Sequence, residues 1–167
     1  MSERVGLEAA EPLSSEGLDA REHGAVEVLQ EICGACGLAI QPEPKGRHAP
    51  YLDVELIGED VAETLGRHGQ SLDALQYLAN LIIGRRVGPE VRVILDAGGY
   101  RARRSETLTN LAREFAAQVR ERQEECELDP LPAHERRIIH NALADDPTIR
   151  TYSEGDDPDR RVIIAPR

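Results

Sequence analysis

The sequence predicts an α+β fold in two small units joined by a long helix, and three observations carry that prediction. Tyr51 to Ile57 alternates cleanly, with Leu52, Val54 and Leu56 on one face and Tyr51, Asp53, Glu55 and Ile57 on the other, as a half-buried strand requires. The loop Gly66-Arg67-His68-Gly69 falls between two helical patterns. Asp129-Pro130-Leu131-Pro132 breaks the chain after a long helical stretch, and a helix and two strand candidates follow it. With 40% apolar residues, 167 residues can bury one ordinary core or two small ones.

Each element follows from a local pattern. Residues 1–22, rich in Glu, Ser, Gly and Ala without an apolar period, read as a disordered acidic leader. From Ala25, the helical spacing of Val26, Leu29, Ile32 and Cys33 predicts a helix that Gly34 and Gly37 close. Leu38 to Gln41 is a short strand candidate, and Pro42 to Pro50 reads as a loop. A short helix from Glu59 to Leu65 precedes the glycine loop. A second helix, about Ser71 to Ile83, carries Leu72, Leu75, Leu78, Ala79 and Ile82 on one face, widened by Ala74, Tyr77 and Leu81, and is expected to be well buried. Val91 to Leu95 forms another strand, ended by Asp96-Ala97-Gly98-Gly99. A helix from about Tyr100 to Glu125 follows, striped by Leu108, Leu111, Phe115 and Val119. That stripe suits a dimerisation face or a connector packed on a neighbouring domain, and the connector is favoured because only three turns are striped. The last unit is a helix over Ala133 to Ala144 and strands around Thr148–Ser153 and Arg160–Ala165. At under 40 residues it would be marginal alone, so its core should lean on the long helix.

Charge argues at first against a nucleic-acid partner, since the formal net charge is −11. More than half of that excess lies in residues 1–31, with eight acidic and two basic side chains, whereas arginines cluster at Arg85-Arg86, Arg101, Arg103-Arg104, Arg136-Arg137 and Arg160-Arg161. Three cysteines are too few for a disulfide framework. Cys33-Gly-Ala-Cys36 could be a redox pair or half of a zinc site, but no further ligands have suggestive spacing, so packed thiols are the favoured reading and neither metal nor cofactor is expected. No run of about 18 apolar residues could span a bilayer, and the N-terminus shows no export signal, which makes a cytoplasmic protein the expectation. Motifs for hydrolase, Walker, dinucleotide and zinc-protease chemistry are missing from the sequence, so a binding protein is expected rather than an enzyme.

The glycine loop is the first candidate site. Glycines at Gly66 and Gly69 let a sugar-phosphate backbone approach closely, the amides and dipole of the following helix favour phosphate oxygens, and Arg67, His68 and Gln70 add polar groups. Leu65 through Leu78, followed by Asp96-Ala97-Gly98-Gly99-Tyr100-Arg101-Ala102-Arg103-Arg104, resembles the KH domain of the bacterial Jag family. The resemblance implies a type II KH domain over 23–97, a three-stranded sheet packed on helices, in which the loop clamps about four unpaired nucleotides. An adjoining apolar groove, expected to draw on Ile57, Val61 and Leu65, would hold their bases. Asp73, in the first turn of the second helix, matches the family pattern and supports that helix through its dipole.

The second candidate site is Arg136-Arg137-Ile138-Ile139-His140. The four-residue spacing puts Arg136 and His140 on one helix face, and Ile138, Ile139, Ala142 and Leu143 fall on another arc, so the pair is expected to be exposed. Its alternative is an ordinary solvated helix face with Arg136 paired to a nearby carboxylate such as Glu135 or an acidic residue of the turn. The spacing, with Thr151 to Gly155 and Arg160 to Pro166, resembles the small α/β R-three-H domain, here over 129–167 beyond a connector helix at 98–128. Domains of that kind bind single-stranded nucleic acids, so the resemblance adds single-stranded DNA to RNA as a partner of Arg136, Arg137 and His140. The Jag resemblance, over residues 24–167, further implies post-transcriptional regulation linked to cell elongation and division, and pairing with a small single-KH protein. Many members carry a further N-terminal domain, in whose place this sequence is expected to have only its leader. The competing reading is a protein-interaction scaffold or homodimer module with incidental RNA binding.

Overall fold

The computed structural model describes the backbone at residues 11–12 and the whole of residues 17–167, in two units, residues 1–100 and 101–167. In the first unit, strand β1 (Glu11–Pro12) precedes helix α1 (Ala20–Ala35), strands β2 (Ile40–His48) and β3 (Tyr51–Gly58), helix α2 (Val61–Leu65), a 3-10 turn at Arg67–Gly69, helix α3 (Gln70–Arg86) and strand β4 (Arg92–Asp96). The strands form one mixed sheet in the order β1-β2-β3-β4. The β2–β3 pair is antiparallel and β3–β4 parallel, so the three strands expected gain a two-residue fourth.

Helix α1 begins five residues before the apolar period starts. Asp19 Oδ1 accepts from the Arg21 and Glu22 amides at 2.8 Å each, while Glu22 Oε2 accepts from the Asp19 amide at 2.8 Å, a reciprocal cap that satisfies orphan N–H groups of the first turn. Glu22 is itself buried, paired with Arg47 of β2 at 2.5 Å. The expected disordered leader is therefore corrected at residues 19–22, which cap and open α1, and at 11–12, whose backbone pairs with Arg47 and Gly46. The rest of the leader lies outside the described residues.

The expected loop at Pro42–Pro50 is mostly strand. Pro42 and Pro44 stand opposite Leu56 and Val54, two residues apart, so both ring nitrogens point away from β3 along an edge where β1 does not reach. A proline tolerated there cannot be recognised without the register. The register then shifts between Pro44 and Gly46, a bulge that lets the strand continue to His48.

Leu52, Val54 and Leu56 are buried as their alternation predicts, together with Val93 and Leu95 of β4, Ala25, Val28, Leu29 and Cys33 of α1, and Leu72, Ala79 and Ile83 of α3. The expected face of α3 is only partly right, because Tyr77, Leu78 and Leu81 are exposed by 66%, 53% and 45%. Two polar side chains explain the rotation. Val93 donates its amide to Asn80 Oδ1 at 2.8 Å and accepts from Asn80 Nδ2 at 2.9 Å, and Leu95 donates to Gln76 Oε1 at 2.9 Å. These bonds satisfy the outer edge of β4, which no strand covers among the described residues, and they turn the arc carrying Tyr77 and Leu81 outward.

The second unit is built from helix α4 (Tyr100–Arg122), strand β5 (Cys126–Glu127), helix α5 (Ala133–Ala142) and strands β6 (Ile149–Glu154) and β7 (Arg161–Pro166), with an antiparallel sheet ordered β5-β7-β6. Its core joins Leu108, Ala112, Ala116 and Val119 of α4 to Ile139, Leu143, Ile149, Val162 and Ile164. Ala112 and Ala116 take the centre, and Leu111 and Phe115 pack at the flanks. These side chains belong to the same core as those of α5 and the sheet, so α4 is an integral wall of this unit. Buried Glu135 is held by Arg104 at 2.7 Å and 3.0 Å, a two-pronged pair that keeps its charge compensated.

Replacing Asn80 by Ala should leave the Val93 amide and carbonyl without partners and cost about 1–3 kcal/mol. Urea unfolding measures this, and a loss within about 0.5 kcal/mol of zero would show that water replaces the amide there.

Candidate nucleic-acid interface

The loop of the first unit is shaped by close backbone packing. Gly66 takes φ 60° and ψ −162°, a region open essentially to glycine, and a Cβ there would collide with the Ser71 hydroxyl. Gly69, at φ 78°, is buried against Tyr100, whose Cε1 would lie 2.6 Å from an added Cβ. Between them His68 also has positive φ, 53°, a conformation that His visits more readily than most side chains. Gly66, Arg67, His68 and Gln70 are exposed, and among the described residues no ion pair engages Arg67 or His68. No side chain caps α3 at Gly69; the Gln70 amide donates to the Arg67 carbonyl, and no cap side chain serves the amides that follow it. Geometry thus assembles a bare turn, two basic or donor side chains and an uncapped helix start. Of the three groove residues, Val61 and Leu65 are half-buried and pack against the first core, and only Ile57 is exposed, by 41%.

On α5 the exposed pair that spacing predicts is not found. Arg136 is buried, its Nη1 donating to the Leu131 carbonyl at 2.6 Å and to Asp157 Oδ1 at 2.9 Å. The expectation of exposure is corrected; of the alternative, the acidic partner in the turn describes the contact and the solvated face does not. The reason is that a guanidinium fits a protein interior when acceptors meet its fork, and these lie 5 and 21 residues away. His140 is half-buried between two hydroxyls of β6, with Nδ1 2.7 Å from Thr151 Oγ1 and Nε2 2.9 Å from Ser153 Oγ. Burial, and then the neighbouring Arg136 charge, hold its pKa below the ordinary 6.5, so the imidazole is neutral at pH 7. Arg137 is the member of the motif that faces solvent. Tyr152, on the same strand as the two hydroxyls, carries Arg150 5.8 Å above its ring and donates to Glu125 at 3.2 Å.

Elsewhere Cys33 is buried, Cys126 half-buried and Cys36 exposed. Burial first, then Cys36, push the Cys33 thiol up, which lowers its thiolate fraction at pH 7. Among the described residues no helix is long and apolar enough to cross a membrane.

Gly69→Ala should cost about 1–3 kcal/mol from the strained φ alone, with the Tyr100 contact adding to it. An unchanged denaturation midpoint would show that the turn can relax. His140 supplies a pH test with a defined sign. Its folded pKa lies below the unfolded value, so stability is fully present above about pH 6.5 and is lost as pH falls through the folded value. Between pH 7.5 and 5 the melting temperature of the wild type should drop further than that of His140→Gln, and parallel curves would refute the assignment.

Comparison with known proteins places these features. The R-three-H domain family matches residues 106–166, taking in most of α4 as well as α5 and the β5-β7-β6 sheet. RNA-binding protein KhpB of Clostridium symbiosum is 37% identical over 142 residues, which is 84% of this chain and 64% of that protein. RNA-binding protein KhpB of Bacillus subtilis is 34% identical over 140 residues, 83% of this chain and 65% of that protein. The KhpB of Lactiplantibacillus plantarum is 41% identical over 103 residues, 62% of this chain and 32% of that protein. The chain therefore spans from about one third to just under two thirds of the length of these relatives. The chain thus matches the R-three-H domain family over residues 106–166 and is similar to these KhpB proteins from the first unit into the second.

Proposed function

We propose that this chain is a non-enzymatic, cytoplasmic protein that binds single-stranded RNA, with a type II KH domain as its first unit and the R-three-H domain as its second. The observation that carries the reading is the exposed Gly66-Arg67-His68 turn at the uncapped start of α3. It stands in the element order helix, strand, strand, helix, glycine turn, helix, strand. A phosphate chain laid across that turn meets little side-chain bulk, the positive end of a helix dipole, and the Arg67 and His68 side chains. The name of these relatives, RNA-binding protein, supports the same partner.

In the second unit Arg137 is the cation presented to phosphate, and the same surface would accept single-stranded DNA. Arg136 acts behind it by tying α5 to the turn at Asp157, and His140 by tying α5 to β6. Two weak sites in one chain raise each other's occupancy through effective concentration when one strand reaches both. The biological role that fits is post-transcriptional control or RNA chaperoning linked to cell elongation and division, with a small single-KH protein as partner.

The test is to change Arg67 and His68 together to Asp. RNA crosslinking in cells should fall sharply, and in vitro affinity of the wild type should weaken as salt rises from roughly 50 to 200 mM. Undiminished crosslinking of the double variant would remove the turn from the binding site.

A further inference from the structure

Resting on the RNA-binding reading and extending it, the geometry points to a base-stacking slot built around Tyr77, in the groove between α3 and β4. Aromatic residues make up only 3% of this chain and four are tyrosines, yet two of the four, Tyr51 and Tyr77, line this one half-open groove of about 460 Å³. Tyr77 is 66% exposed, the most exposed of the large apolar side chains described. Tyr51 is half-buried, with the His48 ring 5.4 Å away. Arg92 stands beside Tyr51 in the β3–β4 register and also lines the groove, which adds a cation that can lie over a ring or reach a phosphate.

The groove floor decides what can enter. An open sheet edge ordinarily accepts an added strand through its free N–H and C=O groups, but here the Val93 amide and carbonyl and the Leu95 amide are engaged by Asn80 and Gln76. Closed against a peptide strand, the groove offers ring faces and a guanidinium, which suit a flat, unpaired base. Position supports the same occupant, because Tyr77 lies on the helix whose first residue follows the glycine turn, roughly 10 Å further along its axis. A strand gripped at Gly66–Gly69 and running along α3 reaches the ring within the span of a few nucleotides. Since every base has a stacking face, this contact adds affinity with little choice of sequence.

Because Tyr77→Ala removes one of the four tyrosines, binding is followed for every variant by the anisotropy of an end-labelled oligomer. Full-length wild type, Tyr77→Ala and Tyr77→Phe are titrated with a non-pairing RNA of about ten nucleotides and with an abasic oligomer of the same length and charge. For the base-bearing RNA, Ala should raise Kd roughly 5- to 150-fold and Phe should leave it near wild type. For the abasic oligomer, wild type should already bind weakly and Ala should change nothing further. Equal affinity of Tyr77→Ala and wild type for the base-bearing RNA overturns the slot while leaving RNA binding intact. If that variant binds RNA normally but sediments as a smaller species than wild type, the ring belongs to a protein interface and the slot is likewise overturned. A wild type that binds neither oligomer overturns the RNA reading and the slot with it.

Discussion

The hydrogen bonds from Asn80 and Gln76 to the outer edge of β4 fix where α3 lies, and most of what the first unit presents to its surroundings follows from that placement. A helix held by two amides against a strand edge cannot rotate without leaving buried backbone groups unpaired, at about 1–3 kcal/mol for each. Its start is then fixed beneath the turn at Gly66–Gly69, where Tyr100 packs against the buried glycine. Its outer arc, with Tyr77, Leu78 and Leu81, is directed to solvent by the same geometry.

This constraint also explains what could be read from the sequence. The alternation of β3 was legible because each side chain of a strand between two neighbours has one of two faces, and Leu52, Val54 and Leu56 go inward together. The glycine turn was legible because two glycines separated by two residues between helices need conformations that other residues resist. The buried face of α3 was misjudged because hydropathy ranks Tyr77 and Leu81 above Gln76 and Asn80, and nothing local reveals that a strand edge needs amide partners. The cap at Asp19 and Glu22 was written in the sequence as an acid followed three residues later by Glu, without an apolar period behind it to draw attention.

The second unit shows the same division in its charges. Ile139 of α5 and Leu143, which caps its end, fall on the core arc as periodicity requires, but so does Glu135, and Arg136 is buried beside it. Both are tolerated because each charge meets its complement: Arg104, 31 residues earlier, and Asp157, 21 residues later. Pairing at that separation has no sequence signature. The Arg-x-x-x-His spacing therefore does not tell which of its side chains are structural and which reach the surface. Arg136 and His140 join α5 to the Asp157 turn and to β6, and Arg137 is left facing water.

A net charge of −11 raises the question of how such a chain would hold a polyanion. At physiological ionic strength exposed charges more than about 8 Å apart are largely screened from one another, so the total matters less than the neighbourhood of the turn. That neighbourhood is mixed: Arg67 and His68 stand at the turn, but Glu63 and Asp73 lie in the helices on either side. Few cations there means few counterions released and a modest electrostatic share of any affinity. Binding of useful strength would then have to draw on contacts that need no further cation, namely backbone amides against phosphate oxygens and rings against bases. The exposed groups of α3 are of both kinds, with uncapped amides at its start and a tyrosine along its flank. An acidic protein built this way would grip unpaired strands in preference to duplexes, because a base already stacked and paired cannot offer its face to a ring.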